Sequence, residues 1–274
     1  MPTLAVEHVR PMRGGAQSHL MRCADGHFYV VKFVNNPQHR RVLANEWLAA
    51  RLARGLGLPV PPAAMIEVSQ ELIDGSPGLR MRIAGQIVPC ASGIQFGSRL
   101  PGSDPFAPIY DYLPEPALNV IANLGDFAGM LAFDKWTCNC NGRQVIYCRT
   151  GPRKPLRAWM VDQGFCFNAG DWNFPDSPLR GVYARNVVYT GITEWKSFEP
   201  WLTKLEKYEE AAIFAVGEEI PPEWYGDWEE MQALLERLVR RRPQVRELIW
   251  SVKVSPRAPF DNWRDMAFEA AGGR

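Results

Sequence analysis

Two carboxylates and an amide stand in an order that suits phosphoryl transfer: Asp134, then Asn139 five residues on, then Asp162. In F-D-K-W-T-C-N at 133–139 the aspartate can orient and deprotonate an attacking hydroxyl. Asn139 and the aspartate of M-V-D-Q-G-F at 160–165 can hold Mg²⁺ against the phosphates of ATP. The same residue types also occur in unrelated polar turns, so the weight of this reading rests on a second group upstream.

That group opens at Gly14 and Gly15, between two stretches with strand character, Leu4–Val9 and His19–Cys23. Glycines in such a turn let backbone N–H groups come close to a phosphate, although a plain hairpin turn has the same look. The next strand, Phe28 to Val34, is apolar nearly throughout, and Lys32 carries a charge into it. A cation in such surroundings needs an anion. Pro37 opens a helix that runs to the Gly55-Leu56-Gly57 stop. On it Glu46 shares a face with Val42, Leu43, Ala49, Ala50 and Ala53, and its carboxylate is the nearest candidate for Lys32. The alternative is that Glu46 reaches solvent from the edge of the stripe.

The order glycine turn, strand lysine, helix glutamate, Asp-x4-Asn, Asp is the part list of the protein-kinase-like superfamily. The sequence resembles the HipA-like kinases, and among them a short, single-module branch. The resembling segments are G-G-A-Q at 14–17, Y-V-V-K-F at 29–33, N-E-W-L-A-A-R-L-A-R-G-L-G-L-P-V-P at 45–61, G-I-Q-F-G-S-R at 93–99, F-D-K-W-T-C-N and M-V-D-Q-G-F. They span most of residues 12–185.

The resemblance implies an α+β, bilobal kinase fold that uses ATP with Mg²⁺ and transfers the γ-phosphoryl group to a hydroxyl, Ser or Thr of a protein above all. It implies that Gly14, Gly15 and Gln17 cover the phosphates, Lys32 contacts them, and Glu46 fixes Lys32. Asp134 would be the base, with Asn139 and Asp162 as metal ligands.

The chain departs from relatives of this kind in several places. Ala132 and Phe133 stand where eukaryotic protein kinases have His and Arg before the catalytic aspartate, so activation-loop control through that Arg is not supported. Gln163-Gly164 replaces Phe-Gly after the metal aspartate. Met12 occupies the position of the loop serine that toxin-type members autophosphorylate, so autophosphorylation there would use Ser18 or not occur. At this length the extra amino-terminal region that longer members use with a DNA-binding antitoxin is not expected, and a toxin–antitoxin role does not follow from the resemblance.

With 274 residues, 46% of them hydrophobic, the chain can bury the cores of two lobes, expected at 1–95 and 96–274. The first should hold a small antiparallel sheet, with strands near 4–10, 18–23, 28–34, 63–68 and 79–84 around the Glu46 helix. The Gly- and Pro-rich stretch from Gly93 to Pro116 reads as the connection and a long loop, with adenine near its start. In the mainly helical second lobe, Leu118, Ile121, Leu124 and Ala128 mark a helix leading to Asp134. Strands Gln144–Cys148 and Leu156–Val161 form a hairpin ending at Asp162, with a basic loop from Arg149 to Pro155 at its tip. Asp227 caps a later helix, and Trp195, Trp201, Trp224, Trp228 and Trp250 pack the helical part.

A net charge of +1 argues against a broad nucleic-acid surface, and Arg240-Arg241-Arg242 before Pro243 reads as a helix end. No apolar run approaches the roughly 20 residues of a membrane span, and no signal-peptide pattern opens the chain, so a cytoplasmic protein is expected. Its six cysteines read as reduced thiols and small apolar fillers rather than a zinc site. ATP, Mg²⁺ and an unidentified protein or small-molecule acceptor are the expected partners. A pseudokinase acting as a nucleotide-binding interaction module, or a small-molecule or lipid kinase, is the competing reading.

Overall fold

The computed structural model describes residues 1–102, 104–151 and 153–264. Ser103 of the expected connecting loop, Pro152 of the basic loop and the last ten residues of the expected second lobe lie outside them. Its first part is a closed five-stranded barrel in the order β1 (Thr3–Pro11), β2 (His19–Cys23), β3 (Phe28–Lys32), β7 (Gly93–Arg99) and β4 (Ala63–Val68). Four of the five strand pairs are antiparallel. The barrel closes through a short parallel pair, Thr3 with Ile66 and Leu4 with Glu67, so the expected small antiparallel sheet is instead a barrel with no long free edge.

Two expectations for this region change. Gly93–Arg99 is the strand between β3 and β4, not a connecting loop. Its glycines look like loop signals, but Gly97 answers a packing demand: a Cβ there would lie 2.4 Å from Ile66 Cγ1. The strand expected near 79–84 is present as β5 (Arg80–Ile83), yet it pairs only with β6 (Gln86–Pro89) in a separate hairpin that follows the short helix α2 (Gln70–Gly75).

Helix α1 (Val42–Gly55) starts five residues after Pro37. The turn before it is held by Asn36, whose Oδ1 accepts from Gln38 N and whose Nδ2 donates to Ala16 O in the glycine turn. The apolar stripe of α1 joins the larger hydrophobic core, with the carboxy-terminal helices, rather than the barrel interior.

The helix expected from Leu118 onward is broken. A single turn, α3 (Glu115–Leu118), is followed by irregular chain, and α4 runs from Asp126 to Trp136. Asn123 causes the break: its side chain exchanges hydrogen bonds with both backbone groups of Ala158, at 2.8 and 3.1 Å. That ties the irregular stretch to β9 (Arg157–Val161), which pairs with β8 (Gln144–Cys148) as expected. Helices α5 (Trp201–Glu206), α6 (Glu210–Glu218), α7 (Trp228–Arg241) and α8 (Val245–Lys253) complete the fold.

Asp227 caps α7 by accepting from Glu229 N. Within the basic run, Arg241 is buried, bonded to Trp136 O and Lys135 O and paired with Asp176, so it locks α7 onto the end of α4. Trp224 is fully buried, and Trp195 and Trp250 stack with ring centroids 6.5 Å apart. Five cysteines are buried and all six are free thiols. Among the described residues no group of three or more His, Cys, Asp or Glu side chains could hold a metal, and no helix is long and apolar enough to cross a membrane.

A histidine pair sits where β1 meets β2. His19 Nδ1 lies 3.0 Å from His8 Nε2, and His19 packs edge-on against Phe33. Burial, and then the neighbouring His8, push the pKa of His19 down to about 4. The unfolded chain therefore binds more protons than the folded one between about pH 6.5 and 4. Stability is fully present above that window and falls as the pH drops through it, by up to about 1.4 kcal/mol per pH unit. Acid denaturation of His19→Gln should show a shallower slope there, and an unchanged slope would mean that His19 is not the responsible group.

Candidate functional site

At the end of β3 the Lys32 ammonium is buried between two carboxylates. It bonds Glu46 Oε1 on α1 and, at 2.6 Å, Asp162 Oδ1 just beyond β9. Glu46 Oε1 also accepts from Gly164 N at 2.9 Å, so the same oxygen anchors the chain that follows Asp162. This approach needs Gly164: a Cβ there would lie 2.6 Å from Val42 Cγ2. Asn45, beside Glu46, places its Nδ2 within 3.0 Å of the carbonyls of Gly164, Cys166 and Ala169. Asp162 itself adopts a left-handed conformation, φ 59°, which turns the chain sharply out of β9.

Burial works against the charge on Lys32, but the two carboxylates outweigh it and hold its pKa above the usual lysine value. The same balance comes out differently for its partners. Burial raises Glu46 more than Lys32 lowers it. Asp162, 18% exposed, is brought below the usual carboxylate range by Lys32 despite its own burial. Two carboxylates share one cation, and the excess negative charge faces the open side.

These groups form the floor of a cleft of about 610 Å³. Its walls are apolar over Val30, Ala50, Val60, Phe96, Ile146 and Met160, with Arg13 and Arg99 as cations. The glycine turn overhangs it, Gly14 taking φ 114° and Gly15 also lining the space. Gln17 differs from its expected place over the phosphates. Both ends of its amide pair with the backbone of Arg82, at 2.7 and 2.8 Å, so it fastens the turn to β5 instead of lining the cleft.

Asp134 and Asn139 do not face the cleft. Asp134 lies on the last turn of α4 with its side chain fully enclosed. Arg143 grips it in a two-point pair, Nε to Oδ2 at 2.8 Å and Nη2 to Oδ1, and Asn139 Nδ2 adds a 3.0 Å bond to Oδ1. Gly181 closes the remaining side, where a Cβ would sit 2.5 Å from Asp134 Cβ. The Asn139 Oδ1 accepts from Asn141 N, so both ends of that amide are engaged within the chain. Burial disfavours the charge of Arg143, yet Asp134 raises its pKa above the ordinary arginine value.

From this pair Arg143 Nη1 reaches Gln163 Oε1 at 2.8 Å and Val161 O at 3.2 Å, the two residues flanking Asp162. Asp134 thus acts on the cleft at one remove, by fixing the segment that presents Asp162. The side chains that this loop does turn toward the cleft are Asn141 and Gln144. Neither they nor Arg143 stand out from spacing alone; the only available signal is a charged residue directly before the apolar strand β8.

A glycine turn over a buried Lys–Glu pair, with an aspartate at the cleft floor, can be compared with known proteins. The family model described as HipA-like kinase matches residues 6–141. That stretch belongs to the HipA-like kinases. No curated protein sequence matches the chain. Among solved structures, a proinflammatory kinase of Helicobacter pylori, CtkA, aligns with a TM-score of 0.58 at 12% identity, covering 93% of this chain and 100% of that one. The Golgi casein kinase solved with Mn/ADP bound gives 0.51 at 15% identity, over 92% of this chain and 75% of that one. At these identities the likeness is one of fold, and the fold is kinase-like with mixed α and β content.

Removing one partner of a buried ion pair leaves an uncompensated charge, which costs about 3–5 kcal/mol. Asp134→Asn should therefore lower stability by about that amount, because Arg143 stays charged and enclosed. Chemical denaturation measures it; full stability combined with lost activity would instead give Asp134 a direct chemical role. Lys32→Met should likewise destabilise, and less so when combined with Glu46→Gln. Simple additivity in that double-mutant cycle would show that the pair does not couple.

Proposed function

We propose that the chain is a two-lobed kinase that binds ATP with a divalent cation and transfers the γ-phosphoryl group to a hydroxyl, with Ser or Thr of a protein as the acceptor. The observation that carries this reading is the buried Lys32 shared by Glu46 and Asp162 beneath the glycine turn. Lys32 is aimed where α- and β-phosphates would lie, and the apolar walls suit a purine.

Asp162 fits Mg²⁺: its partly open carboxylate borders an excess of negative charge, and Mg²⁺ commonly takes one or two carboxylates together with substrate phosphates. When bound, the ion neutralises charge on the transferring phosphoryl group. Asn139, turned inward, does not join it in this reading; Gln144 and Asn141 offer the neighbouring amide oxygens. Lys32 and the N–H groups of Gly14 and Gly15 hold the phosphates in line, and Asp134 holds Arg143 so that Asp162 keeps its place. Phosphoryl transfer passes through a loose transition state, so positioning and charge carry most of the catalysis, and a chain without an open base still has a path. Reduced, buried thiols suit a cytoplasmic setting.

A second reading is favoured by one observation: the expected base is sealed by Arg143, while the cleft residue beside it, Asn141, is an amide that takes up no proton at neutral pH. It is a nucleotide-binding module without turnover.

Mg²⁺ with ATP should raise the melting temperature, by mass action on the folded state, by the equivalent of about 2.7 kcal/mol at a hundredfold excess over Kd. Asp162→Asn should lose the metal-dependent part of that shift. Absence of any shift with nucleotide and metal defeats both readings; a shift without transfer of labelled phosphate to cell extract selects the binding module.

A further inference from the structure

Asn141-Gly142 is the one Asn-Gly dipeptide in the chain, and it lies at the cleft. Both residues are exposed. Gly142 N lies 2.9 Å from Asn141 Oδ1, which brings a peptide nitrogen up to the side-chain carbonyl of the preceding residue. The backbone of Asn141 is held on both sides, its N donating to Asn139 Oδ1 and its O accepting from Gly181 N, each at 3.1 Å. The fold itself makes no demand for glycine at 142. Its φ is not in the left-handed region, and a Cβ there would meet nothing nearer than Val182 O at 3.6 Å, an ordinary contact. What glycine does provide is an unhindered backbone nitrogen.

We propose that Asn141 is a site of spontaneous deamidation, and that the carboxylate so formed serves as the proton acceptor of the cleft. The Gly142 nitrogen attacks Asn141 Cγ and forms a new C–N bond. The bond from Cγ to the side-chain nitrogen breaks, and ammonia departs with the proton that the peptide nitrogen gives up. Water then opens the cyclic imide, leaving an aspartyl or isoaspartyl carboxyl that loses its proton to solvent. The net change is one water taken up and one ammonia released, with no oxidant or reductant. The other acidic side chains of the cleft are Glu46 and Asp162, both engaged with Lys32, and Asp111 at the exposed edge. Conversion of Asn141 adds an acidic group to the cleft beyond the two that Lys32 holds. The second half of this inference rests on the kinase reading above; the first half does not.

The test ages the purified full chain under native conditions near neutral pH. Peptide mass spectrometry follows the amide-to-acid change at residue 141, and labelled transfer from Mg²⁺·ATP is measured on the same samples. Conversion of most of the chain with transfer rising at least tenfold in step is expected. Asn141→Asp should start at the aged level, and Gly142→Ala should keep both its amide and its low initial rate. An amide at 141 that survives in the folded chain overturns the proposal. So does conversion without any gain in transfer while Asn141→Asp also equals the fresh protein. The melting shift with Mg²⁺ and ATP separates the two failures: its absence defeats the kinase reading, whereas an intact amide with the shift present defeats only the deamidation.

Discussion

One ammonium between two carboxylates holds the cleft together. Lys32 ends a barrel strand, Glu46 sits in a helix packed into the larger core, and Asp162 follows a hairpin from the other side of the molecule, so a single cation joins three separately built elements. Such a cluster is costly to bury unless every charge is answered. The two carboxylates are answered unequally: Glu46 is also bonded by Gly164 N, while Asp162 keeps an open side. The surplus charge is therefore left where a ligand can reach it.

Behind this cluster is a second ion pair of a different kind. Asp134 and Arg143 are matched one to one, enclosed and hydrogen-bonded at both carboxylate oxygens. Nothing is left over for a ligand. The contrast between an unbalanced cluster of three charges at the floor of the cleft and a balanced pair outside it separates the groups that can meet substrate from those that keep the cleft in shape. Arg143 carries that support forward, through Gln163 and Val161, to the residue between them.

The Lys32–Glu46 contact is legible in the sequence because a charge inside an apolar strand and a charge on an apolar helix stripe each demand a partner, and they lie close along the chain. The β8–β9 hairpin and the cap at Asp227 are legible for similarly local reasons. Asp134 is not, since Asp-x4-Asn spacing fixes neither which way the last turn of a helix points nor that Arg143, nine residues on, will claim both oxygens. Gln17 misleads in the same way, its amide being taken up by a hairpin 65 residues away. Strand β7 is hidden by its glycines, whose purpose becomes visible only against Ile66. Local chemistry is readable from composition; the direction in which a polar side chain faces depends on partners that sequence distance conceals.

The anchoring of α1 has a consequence for how this molecule can be switched. Trp47 and Arg51 bond Glu219 at the end of α6, Arg41 bonds Glu230 on α7 and stacks on Trp172, and Asn45 grips the loop beyond Asp162. A helix riveted at each turn to the body behind it is a wall and not a door. Withdrawing Glu46 from Lys32 would mean breaking a row of contacts along its whole length. The barrel and its glycine turn stand on the opposite side of the cleft, a roof over a floor that these bonds hold in place.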